Sequence, residues 1–323
     1  MADCHDLFEQ FYGEIKLSHS QLDYLKQARN ALRKKVREHF DEMEYIRPKF
    51  CGQGSYAMST IINPLDEEYD IDDGVYLQNL DEQDMGRWPS PSTVHKWIYE
   101  AAKGHTDEDP VDKRTCIRVA YSGHYHVDLP IYGEYDEGFY LAEKGAKGWH
   151  PSDPKALTDW FVKQVRGKGE QLRRIVRYFK AWGDYQSRRC TLPSGLILTI
   201  LSVRNFEAGG SKTTERDDAV FGKTVKNVYV QISRSFRICN PIDEEEVLSE
   251  RLTEPQKKNF KRLLSVLREA AGAALREDSE KAACKIWKAE LGDKFPNCDD
   301  VKEKQVPLRT SGPALLRNDA RSA

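Results

Sequence analysis

Apolar positions along the chain change their period near residue 45 and again near residue 150, and the two changes divide it into three stretches. Ser18-His19-Ser20-Gln21 has the form of a capping box, after which Leu25, Ala28, Leu32, Val36 and Phe40 recur at helical spacing. The spacing predicts one long N-terminal helix. Between about 40 and 150 the pattern becomes short β-rich runs broken by Gly, Pro and Asp: Pro48 to Cys51, Gly74 to Leu77, Thr115 to Tyr121 and Tyr125 to Tyr132. Helical periodicity returns at Ser152-Asp153-Pro154, where a capping residue precedes a proline suited to a first turn, and it predicts helices over about 154–166, 169–186 and 193–206. A second capping box, Thr253-Glu254-Pro255-Gln256, precedes Phe260, Leu263, Leu264, Leu267, Ala271 and Ala274 on one helical face, and a further helix is expected over 279–291. Gly209-Gly210-Ser211 through Lys223 reads as a polar loop able to fold over a site. The division is therefore 1–150 for a sheet lobe with its N-terminal helix, 151–300 for a helical lobe and 301–323 for a loosely held polar tail.

Composition narrows the function classes. Fifty Lys plus Arg against 52 Asp plus Glu leave a net charge of -2, which argues against a nucleic-acid coat or a polybasic membrane anchor. The longest apolar run, Leu196 to Val203, is far below the ~20 residues of a bilayer span, and the N-terminus lacks the basic flank and apolar core of a secretory signal, so a cytoplasmic protein is expected. Seven cysteines with no Cys-x-x-Cys pair read as reduced thiols, not as a zinc ribbon.

Chemistry concentrates in three segments of the sheet lobe. Gly52-Gln53-Gly54-Ser55-Tyr56 follows a strand and opens a helix, a junction whose backbone N–H groups can cradle a phosphate. In Tyr69-Asp70-Ile71-Asp72-Asp73-Gly74 the strand period points Asp70 and Asp72 to one face and Ile71 and Asp73 to the other. Val127, Leu129 and Ile131 alternate with His126, Asp128 and Pro130, so Asp128 can join the same polar edge from a neighbouring strand. Three converging carboxylates need a cation, and Mg2+ prefers such oxygens together with substrate phosphates. Two such ions serve an in-line phosphoryl displacement, and one aspartate can take the proton of the attacking hydroxyl. His124 and His126 share the Asp128 face and raise a rival transition-metal reading, which lacks a fourth clustered ligand.

These segments resemble the signature of the polymerase-β-like nucleotidyltransferase superfamily. Within it, Gln53-Gly54-Ser55-Tyr56, Asp70-Ile71-Asp72-Asp73-Gly74-Val75-Tyr76, Lys113 to Val119 and His126-Val127-Asp128-Leu129-Pro130 resemble the bacterial cGAS/DncV-like nucleotidyltransferases. The likeness continues through Ser152-Asp153-Pro154, Lys180-Ala181-Trp182, Pro193-Ser194-Gly195 and Asn240-Pro241-Ile242-Asp243, covering roughly 20–295. It implies an α+β fold, a mixed sheet with a long N-terminal spine helix packed against a C-terminal helical lobe. The implied reaction is Mg2+-dependent, template-independent condensation of ATP, GTP or both into a cyclic di- or trinucleotide that activates an effector in antiphage signalling. Mn2+ is the implied substitute for the two Mg2+ ions. By the resemblance, Asp70, Asp72 and Asp128 are the metal-binding and catalytic residues. Gln53, Gly54, Ser55 and Tyr56 form the donor-phosphate loop, Lys180 and Ser194 hold the triphosphate, and Arg118, Ser152 and Asp243 contact nucleotide. Ser152 alternatively caps its helix.

No cysteine cluster supplies the zinc insertion of the animal DNA sensor, so activation by double-stranded DNA is not implied; a monomer without stable nucleic acid is expected. The basic stretch Arg173, Arg174, Arg177, Lys180, Arg188 and Arg189 reads instead as an amphipathic helix whose polar face lines the cleft. Some relatives have their C-terminus joined to other molecules by a ubiquitin-transfer-like companion, with which Asn318 to Ala323 is compatible. The same carboxylate geometry also suits an RNA-tailing or 2′-5′ oligoadenylate-type transferase, and a third reading is a nucleotide sensor without catalysis.

Overall fold

The computed structural model describes residues 1–42, 46–66, 68–122, 125–208 and 215–301. His124, the segment 209–214 and the tail after Val301, including Asn318 to Ala323, lie outside the described residues.

Helices α1 (His5–Ile15) and α2 (His19–Asp41) come first, then β1 (Arg47–Gln53), the single turn α3 (Gly54–Ala57) and β2 (Tyr69–Gln78). Next are α4 (Pro91–Ala102), β3 (Val111–Asp112), β4 (Cys116–Tyr121), β5 (Tyr125–Tyr135), β6 (Gly138–Glu143) and β7 (Gly148–Pro151). The remaining helices are α5 (Pro154–Lys168), α6 (Gln171–Ser187), α7 (Gly195–Asn205), α8 (Asp217–Arg234), α9 (Glu254–Ala274) and α10 (Glu280–Leu291).

The capping box at Ser18 forms as read, and the α2 face of Leu25, Ala28, Leu32, Val36 and Phe40 is buried. Strand order is β1-β2-β5-β4-β3, with β6 on β5 and β7 on β6; β2 and β5 run parallel and the other pairs antiparallel. The α2 and α4 side chains Leu32, Val36, Val94 and Ile98 meet Val75, Val127, Leu129 and Ile131 of the sheet in one apolar layer. Asp73 lies in this layer, fully buried, because Arg33 of α2 reaches it with Nε 2.6 Å from Oδ2 and a second bond to Oδ1. That bidentate pair satisfies a charge that would otherwise cost several kcal/mol to bury. With one sheet face covered by the spine helix, the other is left for the helical lobe and the cleft.

The helical lobe closes around a second core, and four sequence expectations change there. The first helix, grouped with the sheet lobe in the 1–150 division, packs instead into the helical core. Phe8 lies 5.1 Å from Tyr178, 5.0 Å from Trp287 and 5.5 Å from Phe295, ring centre to ring centre. Residues 217–223, expected as loop, are the first turns of α8. Their polar look comes from Asp217 and Asp218, both buried. Asp217 accepts from Arg174 at 2.6 and 2.8 Å, Tyr178 at 2.7 Å and Gln171 at 2.7 Å. Burial pushes its pKa up, but these donors outweigh burial and leave it below the usual carboxylate value. Asp153, not Ser152, caps α5, accepting from the Ala156 N–H at 2.9 Å. Finally, the cysteines are not all reduced: the turn after α10 brings Cys298 back to Cys284 with a Cα separation of 5.6 Å, and the two form a disulfide. Cys4, Cys51, Cys116, Cys190 and Cys239 remain free. No helix of the described residues is long and apolar enough to cross a membrane.

Candidate active site

Register across the parallel pair decides where the acids meet. Asp72 of β2 stands opposite Asp128 of β5, and Asp70 stands opposite His126. Two aromatic stacks bracket this alignment: Tyr76 on Tyr132, 4.8 Å apart at 15°, and Tyr69 on Tyr125, 6.0 Å apart at 14°. A slip of one residue would send Asp72 into the apolar layer and Ile71 into the cleft, so burial of Ile71, Val75 and Val127 enforces the acidic edge. Carboxylate oxygens of Asp70, Asp72 and Asp128 all lie within 4.8 Å of one another. His126 is not a member of this cluster, so among the described residues the site is all-carboxylate.

Such proximity is costly without positive charge. Burial first, then Asp70 and Asp128, raise the Asp72 pKa from 3.8 to about 7. Arg118 of β4, in register with Asp128, clasps it with Nε 2.6 Å from Oδ1 and Nη2 2.7 Å from Oδ2, and the same guanidinium is 3.9 Å from Asp70. Lys180 of α6 adds a second cation. Burial lowers its pKa to about 8 against the pull of Asp70 and Asp72. Three oxygen-donor side chains with an excess of negative charge suit a hard divalent ion, and the trio could hold one.

The glycine turn is built against this edge. Gly54 has φ +59°, and a Cβ there would fall 2.1 Å from Asp72 Oδ2, so only glycine lets the loop backbone touch the aspartate. Ser55, Asp70 and Lys180 together line a cleft of about 460 Å³ closed by Ile61, Gly195 and Leu198. Gln53 and Tyr56, read with Ser55 as a phosphate loop, turn elsewhere. Gln53 is buried, donating to the Tyr76 hydroxyl at 2.9 Å and accepting from the Tyr132 hydroxyl at 3.2 Å, while Tyr56 packs beside α2 under the Arg29 guanidinium. Ser194 is the N-cap of α7 but makes no capping bond with its side chain, and its neighbour Gly195 lies against the Lys180 stem. Burial raises the pKa of the Tyr132 hydroxyl, and Ser152 lies close enough to lower it in part. Asp243 is exposed, its carboxylate accepting from the Glu245 N–H at 3.1 Å.

The basic stripe of α6 does less lining and more holding than its spacing suggested. Only Lys180 of the stretch faces the cleft; Arg173 donates to the Met58 carbonyl at 3.1 Å, Arg177 to that of Ile61 at 3.1 Å and Lys180 to that of Thr60 at 3.2 Å. These three bonds fasten the segment between the glycine turn and the aspartate strand to the helical lobe. Sequence reasoning missed them because the cations were visible at i, i+4 and i+7, whereas their acceptors are backbone carbonyls that carry no residue signature.

Residues 48–132 match the family model described as cyclic GMP-AMP synthase DncV-like, nucleotidyltransferase domain. A cyclic GMP-AMP synthase of Escherichia albertii is 28% identical over 229 residues, 68% of this chain and 48% of that protein. A cyclic GMP-AMP synthase of Escherichia coli is 26% identical over 53% of this chain and 52% of its own length, so the match spans about half of these two relatives. A cyclic AMP-AMP-AMP synthase of an Acinetobacter strain is 22% identical over 96% of this chain and 90% of that protein. The crystal structure of Vibrio cholerae DncV cyclic AMP-GMP synthase superposes with a TM-score of 0.76 at 21% identity, covering 90% of this chain and 98% of that one, a likeness that carries the fold. Residues 48–132 thus carry a DncV-like nucleotidyltransferase domain, and the whole chain is similar in sequence to cyclic-nucleotide synthases and in fold to DncV.

Proposed function

We propose that this chain is a cyclic-oligonucleotide synthase, joining nucleoside triphosphates, ATP, GTP or both, into a cyclic di- or trinucleotide with release of pyrophosphate. The observation that carries the reading is the convergence of Asp70, Asp72 and Asp128, with Asp70 on the wall of a cleft that also presents Ser55 and Lys180. In this reading the three aspartates hold two Mg2+ ions, with Mn2+ a substitute. When bound, the ions supply charge neutralisation for the leaving pyrophosphate and polarise the attacking hydroxyl.

The chain's own groups do the rest. The Gly54–Ser55 backbone, brought against Asp72 by the absent Cβ, seats the donor phosphates beside the acids. The Lys180 ammonium and the uncommitted Ser194 hydroxyl steady the triphosphate from the helical lobe. Arg118, Ser152 and Asp243 are proposed as further nucleotide contacts. An acceptor ribose hydroxyl attacks the α-phosphorus, the bond to pyrophosphate breaks, and one carboxylate of the trio takes the hydroxyl proton. The linear product turns in the cleft and its free hydroxyl repeats the attack, closing the ring. The proposed setting is cytoplasmic antiphage signalling through a separate effector, with the chain acting as a monomer.

Purified chain incubated with four triphosphates and Mg2+, followed by mass spectrometry, tests the reading. A phosphatase- and nuclease-resistant product without free ends is expected, and the Asp70→Asn, Asp72→Asn double variant should make none while staying folded. Linear products with free ends would indicate a tailing or oligoadenylate-type transferase. Absence of Mg2+-dependent pyrophosphate release would leave only a nucleotide sensor.

A further inference from the structure

Both oxygens of Asp128 are occupied by a single partner. The Arg118 fork donates to each of them, at 2.6 and 2.7 Å, and the pair is sheltered, with 25% of the Arg118 side chain and 11% of the Asp128 side chain exposed. The fork is fixed from both sides because Arg118 and Asp128 face each other across the antiparallel β4–β5 ladder. A guanidinium does not give up its proton in a protein, so it cannot yield to a metal by losing charge; it can only move away. Lys180 adds charge near Asp70 and Asp72 and donates to the Thr60 carbonyl at 3.2 Å, whereas the two bonds to the Asp128 oxygens are made by Arg118. A divalent ion bound by Asp128 and its neighbours would meet a full positive charge already seated on the same oxygens.

We propose that Arg118 is the resident counter-ion of the acidic trio: it holds Asp128 while the site is without metal, and it withdraws when a divalent ion enters. Arg118 is thus a positioning residue that sets the threshold of divalent-ion binding and keeps three crowded carboxylates compatible with the folded sheet when the site is idle. The inference rests on the reading of Asp70, Asp72 and Asp128 as metal ligands.

Isothermal titration of the full chain with Mn2+ alone, paired with thermal unfolding in EDTA, tests it. Relative to the unmodified protein, Arg118→Gln should bind Mn2+ roughly tenfold more tightly, the worth of about one charge-assisted hydrogen bond, and should melt lower in EDTA with the loss recovered by Mn2+. Arg114→Gln, which removes an exposed cation paired with Glu143, should change neither. Should Arg118→Gln fail to fold without metal, Arg118→Lys carries the test: its ammonium lacks the fork and should bind Mn2+ more tightly than the unmodified chain. Unchanged or weaker Mn2+ binding in these variants, with the unmodified chain still binding, overturns the counter-ion role and leaves the metal site standing. An unmodified chain that takes up no Mn2+ overturns both.

Discussion

Asparagine in place of Asp72 preserves the shape that packs against Gly54 and removes the charge that Asp70 and Asp128 repel. Burial and those two neighbours raise the Asp72 pKa from 3.8 to about 7, which corresponds to ~4 kcal/mol as a ceiling. Water reaches the cleft and screens the like charges, so the realised cost of ionising Asp72 is about 1–2 kcal/mol. The sign follows from linkage. At pH 4 the carboxyl is largely protonated in the folded chain and costs nothing. As pH rises toward 7 the unfolded chain releases this proton readily and the folded chain does not, so stability falls across that window and the full penalty stands above it. Asparagine does not titrate. In EDTA at pH 8, Asp72→Asn should therefore melt above the unmodified protein by roughly 1.5–3 °C, and the gap should close toward pH 4. Mn2+ should stabilise the unmodified protein more than the variant and narrow or reverse the order. Differential scanning calorimetry at pH 4, 6 and 8 provides the readout. A variant less stable than its parent at pH 8 in EDTA, or a gap of the same size at every pH, would refute the crowding of acids at this edge.

Gly54→Ala adds a methyl 2.1 Å from Asp72 Oδ2 at a residue of φ +59°; turnover should fall at least a hundredfold while stability drops by ~1–3 kcal/mol, read by pyrophosphate release and urea unfolding. Arg33→Met strands the buried Asp73 carboxylate and should cost ~3–5 kcal/mol, whereas Arg33→Met with Asp73→Leu should regain much of it; equal losses in the single and double variants would deny the pair its brace role. Lys180 carries its charge below about pH 8 and loses it above, so kcat/KM for triphosphate should decline on the alkaline side of that value, and Lys180→Arg should move the decline upward; an unmoved alkaline limb would assign it to another group.

How far the sequence reaches can be seen residue by residue. Asp70, Asp72 and Asp128 were legible because strand alternation assigns each to a face, and apolar residues on the opposite face leave no other register. The Ser18 and Thr253 capping boxes located two long helices for a similarly local reason. What escaped depends on partners distant in the chain. Helix α1 has no side-chain cap to mark it, and its place is evident only once Tyr178, Phe221 and Trp287 are brought around it. Asp217 looks like loop chemistry unless Arg174, Tyr178 and Gln171 are known to converge on it. Gln53 carries the polarity of a ligand contact, yet the Tyr76 and Tyr132 hydroxyls across the sheet satisfy it. The Cys284–Cys298 link joins residues 14 apart that only the turn after α10 makes neighbours.

The placement of α1 bears on when the molecule can begin to work. Its Phe8 ring waits for Trp287 and Phe295, which the ribosome makes last among the packed aromatics of the lobe, and the Ala2 N–H meets the Glu277 carbonyl at 2.5 Å. Pairings of such long sequence separation form late, after the loop between them has been made and its closure entropy met. A nascent chain that already exposes all three aspartates therefore has an unfinished lobe behind Lys180. The core behind Lys180 is complete only once translation has passed residue 295, so half-made chains hold the acids beside an unfinished helical lobe.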